Sequence, residues 1–90
     1  MRGRTTPKVA ETLALNVLGF LANSPETLER LMEQTGLDLS MIRKQAANRH
    51  FLAAILDFLL ANEELLVEFC QTAQIDPKEV HLAGYALGAE

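Results

Sequence analysis

Six helix-start signals fall within ninety residues, and their spacing leaves room for short helices and little else. Thr6 precedes Pro7, Ser24 precedes Pro25, and Asp76 precedes Pro77. Each pair sets an oxygen-bearing side chain at the cap and proline at the first helical position, where the missing N–H costs nothing. Asp76-Pro77-Lys78-Glu79 adds a glutamate at the third position, close to a capping box. Asp38, Asn48 and Asn62 supply three more caps, and Glu63 and Glu64 follow the last where a helix dipole favours acids. Gly36 is placed to end a helix in the left-handed conformation. The first helix therefore opens at Pro7 and closes at Ser24, and the second runs to about Thr35. The third lies between Asp38 and Ala46 or Ala47, the fourth between Asn48 and Ala61. The fifth starts at Asn62 and the sixth at Asp76. No segment alternates as a strand does.

Apolar spacing says how these helices meet. Ala10, Leu13, Ala14, Val17, Leu18 and Leu21 recur at three and four along one face of the first helix. Between Phe51 and Ala61 only Asp57 is polar, so the fourth helix should be covered on most sides and sit at the centre. Ala53, Ala54, Leu60, Ala61 and Glu64 surround Asp57 at helical spacing and read as a narrow solvent stripe. The fold expected is all-α, a compact bundle of five to six short helices spanning residues 7–88 behind a flexible basic tail, residues 1–6. The halves align as pseudo-repeats of three helices each. Phe20-Leu21-Ala22-Asn23 matches Leu59-Leu60-Ala61-Asn62 at a shift of 39. With one residue dropped, Leu28, Leu31, Met32, Leu37, Asp38 and Ile42 meet Leu66, Phe69, Cys70, Ile75, Asp76 and Val80. Duplication would produce this pattern, and so would any two helix–cap–helix runs.

Charge and composition narrow the function. Hydrophobic residues make up 49% and charged residues 22%, an ordinary globular balance. A single cysteine cannot form an internal disulfide, which fits a reducing, cytoplasmic setting. The net charge is −4, and Arg2, Arg4 and Lys8 are three of the eight bases. From His50 onward Lys78 is the only base, against seven acids. Such a body repels phosphate, so a broad nucleic-acid face is disfavoured. Arg2 and Arg4 before the apolar stretch Leu13–Ala22 imitate a secretory signal, but Glu11 and Asn16 break its apolar character and its periodicity is that of an amphipathic helix. The run Phe51–Ala61 falls short of the ~18 residues a bilayer span needs, so no membrane association is expected.

Candidate reactive residues all have plain explanations. Cys70 lies at helical spacing from Leu66, Val67 and Ala73 with no histidine nearby, as a core cysteine would. His50 and His81 are thirty-one residues apart and lack the short spacing that grips a metal. The five glycines are scattered, so no phosphate loop is present, and Ser24 and Ser40 lack a nucleophile elbow. No catalytic residue, cofactor or metal is expected.

Two binding patterns remain. Leu15 and Gly19 lie off the main apolar face of the first helix, and Leu82, Tyr85 and Leu87 end the sixth among the small residues Ala83, Gly84, Ala86 and Gly88. Together they are a candidate patch for a protein partner or a second copy of the chain. The other pattern is the segment 28–47, which imitates a helix-turn-helix: Gly36 at the turn, Ile42 six residues on, and Arg43, Lys44 and Gln45 where a major-groove reader keeps such residues, with Arg49 adjacent. Against it, Met32 is bulky where alanine is usual, and Gln45 is polar where an apolar residue is usual.

Longer motifs carry a resemblance. Leu18 to Asn23, Leu28 to Asp38, Phe51 to Leu66, Ile75 to Val80 and Leu87-Gly88 together resemble a family of small helical bacterial proteins known only as a domain of unknown function. The resemblance implies a bacterial cytoplasmic protein with a compact helical fold, and it transfers no activity, cofactor or site. The chain reads first as a non-enzymatic module for protein binding or self-association. The alternative is a DNA-binding regulator using residues 28–47.

Overall fold

The structure, a computed structural model, describes residues 6–88. The expected basic tail lies outside them apart from Thr6. Six helices follow in chain order: α1 Pro7–Ala22, α2 Pro25–Thr35, α3 Leu39–Gln45, α4 Arg49–Leu60, α5 Glu63–Ala73 and α6 Pro77–Gly88. All regular structure among the described residues is α-helical.

Most of the caps are built as their chemistry dictates. The Thr6 hydroxyl accepts from the Val9 N–H at 3.2 Å, and the Asp38 carboxylate from Met41 at 2.9 Å. Asn48 Oδ1 accepts from His50 at 2.8 Å and from Phe51 at 3.3 Å. Asp76 accepts from Lys78 at 2.9 Å, but Glu79 makes no reciprocal bond, so the capping box is half formed. Two expected caps work differently. Ser24 makes no side-chain cap bond; its carbonyl accepts from Leu28 at 3.0 Å, and the corner is closed by buried Thr27, whose hydroxyl reaches the carbonyls of Leu21 and Ser24. Asn62 also leaves its helix uncapped by its side chain. Its amide instead donates to the Phe58 carbonyl at 2.7 Å and accepts from Arg30 at 2.6 Å, tying α2 to the joint between α4 and α5.

The core is three helices rather than one surrounded by five. α1, α4 and α6 each pack against the other two, while α2 leans on α1 and α5 on α4. α1 contributes the fully buried row Ala10, Ala14, Val17 and Leu21, and α4 contributes Phe51, Leu52, Ile55, Leu56, Phe58 and Leu59. α6 enters through Val80, Ala83 and Leu87. Gly84 faces α4 at this crossing: a Cβ there would make ordinary van der Waals contact, 3.4 Å from Leu60 Cδ1 and 3.9 Å from Leu56 Cβ. The small face of α6 therefore serves an internal helix crossing. Asp57, with Ala54 and Ala61, is the exposed stripe of α4.

The pseudo-repeat holds for two helices and fails at the third. Gly36 ends α2 at φ 74° and Gln74 ends α5 at φ 58°, both left-handed and both followed two residues later by an aspartate cap. Beyond that the halves diverge. α6 has twelve residues and belongs to the core, whereas α3 has seven, buries only Ile42 and makes no extended pairing with another helix.

Candidate docking site

The weak hold on α3 leaves part of α1 uncovered. One turn round from its buried row, α1 carries Leu15, Leu18, Gly19 and Ala22, which form the floor of a groove of about 450 Å³. Leu28 of α2 and Leu39, Ile42, Arg43 and Ala46 of α3 and its exit form the walls. Leu15 is 44% exposed and Leu39 is 39% exposed. Covering the remainder of each side chain is worth about 1 kcal/mol, a share of the ~1.5–3 kcal/mol for full burial of a leucine. Gly19 stands inside a helix, where glycine costs about 1 kcal/mol relative to alanine. Nothing in the fold asks for it, since a Cβ there would meet no atom within 4 Å. Gly19→Ala should therefore raise stability by about 0.5–1 kcal/mol, seen as a melting point a few degrees higher.

The groove is also distinct in charge. Among the described residues Arg43 is the only charged residue lining it, and no carboxylate pairs with Arg43 or Lys44. Glu11, which precedes Leu15 by one helical turn, is bound by Arg49 at 3.2 Å.

The remaining predicted site residues do not share one surface. Leu87 is only 2% exposed and belongs to the core, so it leaves the expected patch; that side of α6 packs against α1 and α4. Leu82 and Tyr85 lie on the outer side of α6, Tyr85 at 77% exposure, and line no part of the groove. The patch thus divides into the groove at Leu15 and Gly19 and a separate ridge at Leu82 and Tyr85. The four candidate DNA contacts divide too: Arg43 lines the groove, Lys44 is exposed, Gln45 is half-buried, and Arg49 is engaged with Glu11. Sequence reasoning passed over Leu39. Its signal was the run Leu39, Met41 and Ile42 on so short a helix, which holds more apolar side chains than one packed face can cover.

Two other hollows carry less. A groove of about 560 Å³ between the end of α2 and α4 is lined by Phe51, Phe58, Asp57 and Gln34 among others, but both phenylalanines are already buried and a ligand would gain little from them. A third hollow collects Glu26, Arg30, Glu64 and Glu68, with Arg30 already bonded to Asn62. His50 and His81 are exposed on different helices, and no group of three potential metal ligands occurs among the described residues. Cys70 is buried on α5. Burial first, then the charges of Asp76 and Glu79, push its thiol above its ordinary value. Because the fold disfavours the thiolate, the stability this neutral thiol contributes is complete below the unfolded thiol's pKa and is lost as pH rises above it. Iodoacetamide should label native Cys70 only as fast as the protein unfolds. The fall in urea midpoint above about pH 9 should be smaller in Cys70→Ala.

Residues 6–88 form a compact helical bundle, without strands among the described residues, that carries an open, largely apolar groove. The chain belongs to the family described as "Protein of unknown function (DUF3572)", whose profile matches residues 7–90. No curated protein and no solved structure matches it significantly. Among the described residues no helix is long and apolar enough to cross a membrane.

Proposed function

We propose that the chain is a non-enzymatic, cytoplasmic docking module that receives a helix of a partner protein in the groove between α1, α2 and α3. The observation that carries this reading is the pair Leu15 and Leu39, half-exposed on the floor and the wall of one concave, largely apolar surface. Amphipathic helices bind such grooves through apolar side chains at three- and four-residue spacing. The ridge at Leu82 and Tyr85 is the competing surface and suits pairing with a second copy.

A photo-crosslinking side chain placed at position 39 or at position 85 separates the two. Docking in the groove predicts a covalent adduct with another protein from position 39, lost when Gly19→Leu fills the groove, and a monomer by light scattering. Adducts from position 85 alone, or a homodimer, would remove the groove from consideration. The DNA-binding alternative rests on Arg43 and Lys44. Duplex DNA at low salt should cause no mobility shift; a shift that falls steeply with salt and vanishes in Arg43→Glu/Lys44→Glu would favour that alternative.

A further inference from the structure

We infer that the occupant of the groove is an acidic amphipathic helix, one with an apolar ridge flanked by carboxylates. This rests on the docking reading above and adds the chemistry of the partner. Two observations carry it. The first is charge. In a chain of net charge −4, the groove is lined by no acid and holds Arg43, which among the described residues has no partner carboxylate. The acid of α1, Glu11, is ion-paired with Arg49, and Asp38, next to the wall residue Leu39, is engaged as the cap of α3. A partner carrying a carboxylate along one flank pairs with Arg43, whereas a lysine-rich flank meets an uncompensated cation. The second is shape. The floor from Leu15 to Ala22 spans about 10 Å at 1.5 Å per residue, two turns of a helix lying over it. Gly19 lies in that floor with no side chain and no internal neighbour, so an incoming backbone can approach α1 closely there. The same groove is poor for a duplex, because one lining cation releases too few counterions to overcome the repulsion of an acidic body.

The test uses the full chain and two synthetic sixteen-residue helices with the same leucine–alanine ridge, one flanked by glutamates and one by lysines. Binding is read by fluorescence anisotropy, and its location by amide shifts around Gly19 and Leu39. The glutamate peptide should bind about tenfold tighter than the lysine peptide at low salt, although the protein as a whole is acidic. Arg43→Glu/Lys44→Glu should abolish or reverse that preference, and Gly19→Leu should lose both peptides while melting no lower than the parent. Equal affinities, or preference for the lysine peptide, with shifts still in the groove would overturn the acidic partner and leave docking intact. No shift in the groove with either peptide would overturn both. A duplex that moves the Gly19 and Arg43 amides at lower concentration than the glutamate peptide would overturn the inference in favour of nucleic acid.

Discussion

Leu56→Ala should lower the unfolding free energy by about 2–5 kcal/mol and the melting temperature by roughly 10–30 °C. Leu56 is fully buried in α4, and its Cβ lies 3.9 Å from where a Cβ at Gly84 would stand, at the crossing with α6. Alanine is the better helix former, so the loss is one of packing alone: a cavity opens where α4 and α6 meet and the helices are too constrained to close it. A chain of ninety residues has a total stability of about 5–13 kcal/mol, so this one side chain is a large part of it. Asp57→Ala is the matched control. Asp57 is exposed beside Leu56, and its removal should change stability by less than about 0.5 kcal/mol. Equal effects at the two positions, measured by urea and thermal unfolding, would show that α4 is rotated from the orientation described.

The second large effect is expected from adding atoms. Ala14 is fully buried in the row of α1 that faces α4 and α6. Ala14→Leu should cost about 1–3 kcal/mol, because three carbons enter a space already filled by neighbouring helices. Five residues along the same helix, Gly19→Leu adds a larger increment and should cost nothing, since that position opens onto the groove. The contrast between the two leucines separates the buried row from the groove floor in a single pair of melts.

How far the sequence foretold this arrangement differs from helix to helix. Six helices followed from side chains that cap, because proline, aspartate and asparagine act on their own local backbone and need no tertiary context. Asn62 shows the limit. Its amide had a choice between its own helix and the distant Arg30 and Phe58, and only packing brought those within reach. The end of α5 was similarly hidden, since Gln74 adopts the left-handed conformation that glycine would have advertised. In α4 the alternation of burial with the Asp57 stripe was visible because the run is long and has one polar residue. In α6 it was not. Ala83, Gly84 and Leu87 are compatible with an open face or with a tight crossing, and the choice is made by α4. For the candidate site, Leu15, Gly19 and Arg43 were each legible singly. Their meeting was not, because it depends on how little of α1 the short α3 conceals.

Native-state hydrogen exchange tests most directly whether α1, α4 and α6 form the core while α3 hangs on it as the loose wall of an open groove. The slowest amides should lie in those three core helices and open only with global unfolding. Those near Ile42 should open at roughly half that free energy or less, because one buried side chain holds the segment. Equal protection of α3 and α4 would mean that α3 is a full member of the core, and the groove would then have no physical basis.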